Sequence, residues 1–379
     1  MQYKVWDVLD KGILHRQILK DLKGKPRVAM VELFVSDNCP LKCKHCFHAD
    51  VRSVDTPLSF QEWQSVIEQL INLGIRHFHI AGREPFTERI TLELLGYLSE
   101  RKKTINLKLG VISNGLNCRR HLREIQQLEL DYLEISVDGL ADTHDFMRGK
   151  GTYRHTVETL IEALSFLGDN RISTATALHK GNIHQIPDII RNLGKLGVRR
   201  FFFQPVVPMG YALTMTDLLI GGREYREAIL ETRDLLAQAE FQGRGIAVMF
   251  YTPPELVRSL CLGDPWLEEE LGKYILRGRS LTKQGSSYLQ LDFNVVRVPF
   301  WQHFIVTEDG YIIDECYSRS IPNYTEYSIG NVRQLPILEL IHNSRQFAFH
   351  QVEMELAANV NNGQHESAHV ESVTSTVYK

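Results

Sequence analysis

Two hydrophobic patterns alternate along most of this chain. Short β-branched and apolar runs, typical of buried strands, are followed by segments in which apolar residues recur every three or four positions, as on one face of a helix. The strand-like runs are Val31–Ser36, His77–Ala81, Leu107–Ser113, Tyr132–Val137, Ile172–Leu178 and Arg200–Pro205. The helical patterns lie near residues 60–73, Arg89–Lys102, Arg120–Leu128, Tyr153–Leu167 and Ile183–Leu196. About six strand–helix units predict an α/β fold with a parallel sheet, either doubly wound or curled into a barrel.

The patterns also predict where the repeating region ends. Residues 1–30 show only weak helical periodicity before a Gly-Lys-Pro break and are expected to cover the sheet. After a helical pattern at Arg223–Phe241 the alternation stops, so we expect a repeating domain at 31–245 and a small α+β extension at 246–350. Within the extension, the pattern of Phe304–Asp314 predicts a hairpin with a Glu-Asp-Gly turn. The polar segment 351–379 is expected to be disordered.

Composition limits the classes of partner. The chain has 379 residues, 43% of them hydrophobic, with a net charge of −3 and a pI near 6.6. No basic excess favours nucleic acid or an anionic membrane as a partner. The first 29 residues are charged throughout and contain no signal-peptide core, and no span is long enough to cross a membrane. These features predict a cytoplasmic protein. The cytoplasm is a reducing compartment, which keeps thiols available for metals.

Three of the six cysteines, Cys39, Cys43 and Cys46, lie within eight residues in the loop after the first predicted strand. Closely spaced thiolates select zinc or iron–sulfur clusters. A [4Fe–4S] cluster normally takes four cysteines, so three thiols in a C-x-x-x-C-x-x-C pattern suggest a cluster with one open iron. The alternative is a zinc knuckle with His45 or His48 as the fourth ligand.

This spacing, with the aromatic Phe47 directly after the last cysteine, resembles the signature of the radical S-adenosylmethionine (SAM) enzymes. The resemblance implies a [4Fe–4S] cluster whose unique iron binds the amino and carboxylate groups of SAM. It also implies a partial (β/α)6 barrel with its site at the carboxyl ends of the strands, as in complete barrels.

The segment after the second strand resembles the G-G-E-P motif of that family. Gly82, Glu84 and Pro85 match it, and Arg83 stands in place of the second glycine. On the resemblance, Glu84 accepts a hydrogen bond from the SAM ammonium. A glycine would let the backbone approach a ligand closely, and the arginine puts that approach in doubt.

The third and fourth strands end in further matches. Ser113 and Asn114 resemble the family's T-N-G motif. Ser136 and Asp138, followed by an H-D-x-x-R-G block containing Arg148, resemble the SPASM/twitch branch. The resemblance implies that Ser136 contacts the SAM ribose or methionyl group and that Arg148 pairs with the SAM carboxylate, for which a guanidinium fork is suited. At the end of the sixth strand, Gln204 is either a contact in the barrel mouth or a satisfied core amide.

The extension departs from the SPASM/twitch branch in its cysteines. An Ile-Gly-Asn-Val segment at 329–332 resembles the branch, but only Cys261 and Cys316 lie in the extension. Two auxiliary [4Fe–4S] clusters therefore cannot be built there. Three interpretations stay open: both thiols are packed in the interior, one of them donates a hydrogen atom to a substrate radical, or both ligate a single auxiliary cluster.

The resemblance implies an enzyme that reductively cleaves SAM to a 5′-deoxyadenosyl radical and abstracts a substrate hydrogen. It implies a reducing partner such as flavodoxin or ferredoxin. We expect modification of a peptide or natural product, with a sugar, cyclitol or aminoglycoside substrate as the alternative. Only about 30 residues precede the first strand, fewer than a separate leader-binding domain needs. A different class, a non-catalytic zinc or iron–sulfur interaction module, would hold a closed metal site instead.

Overall fold

The computed structural model describes residues 30–241, 243–261, 263–274, 279–293, 303–313 and 319–343. The predictions for the N-terminal covering segment, Cys316 and the C-terminal tail lie outside these residues. So does the side chain of Cys261, whose backbone ends a helix.

One sheet of eleven strands organises the described part of the chain. The strands are β1 (Met30–Phe34), β2 (His77–Ala81), β3 (Lys108–Ser113), β4 (Tyr132–Ser136), β5 (Ile172–Leu178), β6 (Arg200–Pro205), β7 (Ala247–Thr252), β8 (Arg279–Gln284), β9 (Ser287–Phe293), β10 (His303–Val306) and β11 (Ile312–Ile313). Their order is β11-β10-β1-β2-β3-β4-β5-β6-β7-β9-β8, so the sheet does not close on itself through the described strands. The six predicted strands are confirmed, and all pair in parallel.

The helices follow the strands as the periodicity predicts. They are α1 (Phe60–Asn72), α2 (Ile90–Lys102), α3 (Leu122–Gln126), α4 (Ala141–Arg148), α5 (Thr152–Leu167), α6 (Ile186–Leu196), α7 (Gly222–Leu236), α8 (Pro254–Cys261), α9 (Pro265–Tyr274) and α10 (Ile337–Asn343). A capping box starts α1, in which the Ser59 hydroxyl accepts from Glu62 N and the Glu62 carboxylate accepts from Ser59 N. None of the helices in the described ranges is both long and apolar enough to cross a bilayer.

The two faces of the sheet differ in chemistry because side chains alternate along each strand. On the outer face, residues such as Leu33, Ile80 and Ile135 are buried against the helices in one large core. The inner face carries polar residues, among them Glu32, His79 and Glu134, at the neighbouring positions. Successive strands therefore line the inside of a partial barrel with groups capable of hydrogen bonding.

The extension completes both edges of this sheet rather than forming a separate layer. Strand β7 pairs in parallel with β6, so the parallel pairing continues beyond the predicted end of the alternation. Strand β9 follows β7 in parallel, and β8 closes that edge antiparallel to β9. At the other edge, the predicted hairpin is confirmed as β10 and β11, and β10 pairs in parallel with β1. The hairpin turn thereby lies beside the loop that carries the three cysteines.

Candidate active site at the carboxyl ends of the strands

The cysteine loop leaves β1 at the carboxyl end of the barrel. The thiols of Cys39, Cys43 and Cys46 are free and half-buried. The loop is held by its backbone, since Cys46 N donates to Cys43 O at 3.0 Å and Lys44 N donates to Met147 O at 2.9 Å. The second bond fixes the loop against α4, at the end of β4. All three thiols are therefore presented at the strand ends without being sealed in the core.

A second loop crosses the cysteine loop at Gly210. Its φ is +57°, and a Cβ there would lie 2.3 Å from Phe47 O and 2.5 Å from Cys46 O. Tyr211 N donates to the same Cys46 carbonyl at 3.0 Å. Only glycine permits this approach, because real Cβ atoms do not come so close to backbone. The loop after β6 thus contacts the backbone of the last cysteine directly.

Glu84 joins the ends of β2 and β3. Its carboxylate is fully buried and accepts from Ser113 Oγ at 2.9 Å, from Asn114 N at 2.7 Å and from Phe86 N at 3.3 Å. Burial raises the pKa of Glu84 to about 7, although these hydrogen bonds act in the opposite direction. Asn114 Nδ2 also lies 3.6 Å from Cys39 Sγ. Glu84 therefore reaches the first cysteine through one intervening residue.

Gly82 has a packing role at the same place. Its φ is +124°, and a Cβ would lie 2.9 Å from Ser36 O. The end of β2 therefore packs tightly on the end of β1, and Glu84 N donates to Asn38 O at 3.0 Å. The motif suggested that the backbone here approaches a ligand closely, and in the structure the backbone at Gly82 closely approaches the backbone at Ser36.

Arg148 and Asp138 form a charged pair beside the cysteines. Arg148 Nε donates to Asp138 Oδ2 at 2.5 Å, and Asp138 Oδ1 accepts from Ala177 N at 2.9 Å. Burial would raise the pKa of Asp138, but the Arg148 guanidinium and then His45 outweigh it and hold that pKa below its usual range. Burial raises the pKa of the Cys43 thiol to about 12, with Arg148 acting against this rise. A bound metal would have to displace that thiol proton.

The histidines argue against a zinc knuckle. His45 Nε2 lies 3.2 Å from Asp138 Oδ2, so that side chain points at a carboxylate rather than a thiol. His48 is buried and its ring stacks on Phe47, with 4.2 Å between ring centroids. Among the described residues, no three His, Cys, Asp or Glu side chains are arranged to hold a single metal ion. Three half-buried thiols on one loop instead fit a polynuclear cluster, in which each cysteine binds a different iron.

Two histidines near Asp138 were given no role in the sequence analysis, although His144 is the first residue of the H-D-x-x-R-G block. His144 Nδ1 accepts from Asp138 N at 3.1 Å, and His179 Nδ1 accepts from Gly181 N at 3.0 Å. The Nε2 atoms of both rings are buried without a protein partner in the described structure. Burial lowers the pKa of His144 to about 4, so the ring is neutral at pH 7. His179 directly follows β5, and a polar residue at a strand end was the signal that could have found it.

The remaining predicted site residues occupy the same end of the barrel with different exposure. Pro85 and Ser136 are buried, whereas Phe47 and Gln204 are half-buried. Because Phe203 is in the outer core, Gln204 lies on the inner face of the sheet. Its partial exposure there favours the barrel mouth over a core amide. The structure therefore brings all predicted cofactor contacts to one edge, and their individual roles stay predictions.

Comparison with known proteins agrees with this geometry. The family model of the Radical SAM superfamily matches residues 33–193. A PqqA peptide cyclase from Rhizobium meliloti (strain 1021) is 26% identical over 235 residues, which are 61% of this chain and 60% of the relative. An Fe-coproporphyrin III synthase from Methanosarcina barkeri is 24% identical over 340 residues, covering 87% of this chain and 77% of the relative. The chain spans 49% of a second PqqA peptide cyclase, from Bradyrhizobium diazoefficiens.

Solved structures share the fold. Streptococcus suis SuiB bound to S-adenosylmethionine superposes with a TM-score of 0.65 at 14% identity, covering 88% of this chain and 71% of SuiB. The enzyme anSMEcpe with bound AdoMet and Cp18Cys peptide gives 0.59 at 15% identity, with 87% and 84% covered. The α/β partial barrel predicted from the sequence is confirmed. Residues 33–193 therefore match the radical SAM superfamily, the family that the cysteine spacing and the strand-end motifs predicted.

Proposed function

We propose that this protein is a radical SAM enzyme that modifies a peptide. The observation that carries the proposal is the position of Cys39, Cys43 and Cys46. Their half-buried thiols lie on one loop at the carboxyl end of β1, inside the matched domain and beside Arg148. In this proposal the three thiolates ligate a [4Fe–4S] cluster. The chemistry that the cluster and SAM supply together is reductive cleavage of SAM and abstraction of hydrogen from an unactivated C–H bond.

The chain's own residues would hold and orient SAM. Arg148 uses Nε to bind Asp138, which leaves the terminal nitrogens of its fork for the SAM carboxylate. Because Asp138 also accepts from Ala177 N, the guanidinium is held by a fixed carboxylate. Positioning of this kind supports catalysis by keeping the reacting groups aligned.

Glu84 is proposed to accept from the SAM ammonium. A carboxylate offers roughly four acceptor positions, and the described contacts with Ser113, Asn114 and Phe86 use three of them. A cation at the fourth position would favour the ionised form and reverse the raised pKa. SAM binding should therefore release the proton that the buried carboxyl tends to hold in the free protein near pH 7.

The peptide substrate is inferred from relatives. Several relatives are named PqqA peptide cyclases, and one solved SuiB structure is bound to its precursor peptide SuiA. We propose a substrate of the same class here, with a flavodoxin or ferredoxin as the electron donor in the cytoplasm. Cys261 and Cys316, whose thiols lie outside the described structure, would decide the fate of the substrate radical if one donates hydrogen or both ligate an auxiliary cluster, and would have no such role if both are packed. Iron content is informative, because about four irons per chain mean one cluster and about eight mean an auxiliary cluster as well.

A tetrapyrrole is the second candidate substrate. The match to the Fe-coproporphyrin III synthase covers 87% of this chain, a larger share than either cyclase match. A tetrapyrrole differs from the sugar, cyclitol or aminoglycoside that the sequence left open as the alternative substrate.

One experiment separates the two substrates. The anaerobically reconstituted protein is incubated with SAM and dithionite, and 5′-deoxyadenosine is measured. Two probes are then added separately: a tetrapyrrole extract of source cells, and their aqueous low-mass fraction with and without protease digestion. A stimulation that protease abolishes supports a peptide, and stimulation by the tetrapyrrole extract alone supports the second candidate. A protein that holds iron but never cleaves SAM contradicts both.

A further inference from the structure

Arg83, the residue that departs from the family motif, donates hydrogen bonds to residues on both sides of the three cysteines. Its side chain is only 7% exposed. The guanidinium donates to Ala49 O at 2.6 Å, to His48 O at 3.3 Å and to Val51 O. Its Nε donates to Asp37 Oδ1 at 3.1 Å. Arg83 thus binds the chain two residues before the first cysteine and again just after the last.

The carbonyl groups that Arg83 binds belong to a tight reversal. Ala49 has a φ of +43°, the left-handed region that non-glycine residues rarely adopt. The reversal is closed by Ala49 N donating to Cys46 O at 3.3 Å and Val51 N donating to His48 O at 3.0 Å. Without the arginine, Ala49 O and Val51 O would lose a charged donor at a strained position. A glycine at position 83 could not supply it.

The extension reaches the same carboxylate. Arg319 is 1% exposed, and its Nη2 donates to Glu308 Oε1 and lies 3.4 Å from Asp37 Oδ1. Glu308 in turn accepts from Ser53 Oγ at 2.7 Å. Two arginines from opposite parts of the chain therefore share Asp37, directly before the cysteine loop. We call Asp37, Arg83, Glu308 and Arg319 the loop brace.

We propose that Arg83 is a positioning residue for the cluster-binding loop, and that Arg319 lets the extension brace the same loop through Asp37. The brace holds the backbone on both sides of the cysteines without touching the thiols. The inference rests on the proposed role of the three cysteines as cluster ligands. It gives the cysteine-poor extension a function that needs no second cluster.

The test measures how firmly the loop holds iron. Arg83→Gly restores the family's glycine, Arg83→Lys keeps the charge without the fork, and Asp37→Asn removes the shared carboxylate. Each protein is reconstituted anaerobically, and iron transfer to a competing chelator is followed together with the electron paramagnetic resonance spectrum of the reduced cluster. We expect about tenfold faster iron loss in Arg83→Gly, a smaller increase in Arg83→Lys and an altered spectrum.

Arg333 provides the matched control. It also binds one carboxylate, Glu62, at 2.6 Å and the carbonyls of Thr56 and Pro57 at 2.9 and 3.2 Å, away from the cysteines. Arg333→Gly should lower the melting temperature and leave iron loss and the spectrum unchanged. Equal iron loss in Arg333→Gly and Arg83→Gly would make the effect general destabilisation and overturn the proposal. If Arg83→Gly does not fold, Arg83→Lys and Asp37→Asn provide the same comparison.

The role of the extension is tested by a double-mutant cycle on Arg83→Lys and Arg319→Lys. If both act through Asp37, their effects on the rate of iron loss should not multiply independently. If the two substitutions change the rate of iron loss independently, Arg319 does not act through Asp37. If Arg83→Gly loses iron at the wild-type rate, Arg83 does not position the loop. A wild-type protein that binds no iron would instead refute the cluster assignment.

Discussion

Two carboxyl groups, one on strand β4 and one just after it, have pKa values shifted in opposite directions. Asp138 is fully buried, yet its pKa is held below the usual range by Arg148. Glu134 lies four residues earlier on the inner face and is less completely buried than Asp138. The partial burial that it has, together with the charge of Glu32, raises its pKa to about 7. A cationic partner, rather than depth alone, decides which form is stable.

The contrast extends to the two ends of the barrel interior. At the amino end of the strands, His77 Nε2 and His79 Nδ1 both lie 2.8 Å from the Tyr132 hydroxyl. Burial lowers the pKa of His77 to about 4, so this layer is a hydrogen-bonded network with neutral imidazoles at pH 7. At the carboxyl end, charge is concentrated on Asp138 and Arg148 beside the thiols. Among the described residues, that end pairs a buried carboxylate with a guanidinium beside the thiols, and such fixed charges suit a zwitterionic cofactor.

The largest expected effect is loss of iron from the carboxyl end. Replacing Cys39, Cys43 and Cys46 by Ala should remove about four iron atoms per chain from the reconstituted protein. Cys118→Ala is the matched control, because that thiol is free and fully buried in the core. It should destabilise the fold and keep the iron. Undiminished iron in the triple variant would show that the three cysteines are not the ligands.

Arg148→Lys should weaken SAM binding at the same end. The lysine keeps a positive charge near Asp138 but loses the fork, and a charge-assisted hydrogen bond contributes about 1.5–3 kcal/mol. We expect SAM affinity to fall about tenfold or more, measured by equilibrium binding to the reconstituted protein. Arg154→Lys is the control, since that side chain is 83% exposed and pairs with Glu158 on the surface. Unchanged SAM affinity in Arg148→Lys would remove Arg148 from the site.

Gly210→Ala should affect the loop crossing at the carboxyl end. The added Cβ would meet Cys46 O and Phe47 O, so the two loops must separate. Gly245 has a similar φ of +63° and nothing within 4 Å of its Cβ position, so Gly245→Ala isolates the backbone strain. We expect Gly210→Ala to cost about 1–3 kcal/mol more in unfolding free energy than Gly245→Ala. Equal costs, measured by denaturant unfolding, would show that the loops yield easily.

The carboxyl end was largely predictable from sequence, and the amino end was not. Glu84, Asn114 and Asp138 each follow a β-branched run, and strand ends of a parallel sheet meet at one edge. Their convergence needed only the order of the strands. The polar layer of Glu32, His79 and Glu134 gave no such signal, because single polar residues inside strands also occur on solvent-facing sheets.

Long-range pairing explains most of what the sequence could not show. The hairpin at Phe304–Asp314 was predicted, but its parallel pairing with β1 joins residues about 270 positions apart and is not encoded locally. From the sequence, Arg83 could be recognised only as a residue that replaces the second glycine of the motif. Its partners, Ala49 and Val51, lie in a loop whose conformation depends on tertiary packing. His45 was considered as a metal ligand, and its actual neighbour Asp138 lies in a different loop, the one after β4.

The smallest expected effect concerns Glu134 and is measured in the metal-free protein. Its folded pKa of about 7 exceeds the ordinary 4.5, so the folded state favours the protonated form. That contribution is complete below pH 4.5 and is lost as pH rises through 7. Glu134→Gln imitates the protonated form, so it should match wild type near pH 4.5 and be about 1–3 kcal/mol more stable above pH 7. Asp138→Asn should behave oppositely, with a loss at neutral pH that shrinks below pH 4, because that carboxyl is stabilised as the anion. Denaturant unfolding across this pH range measures both, and parallel curves for the two variants would contradict the contrast between the two carboxyl groups.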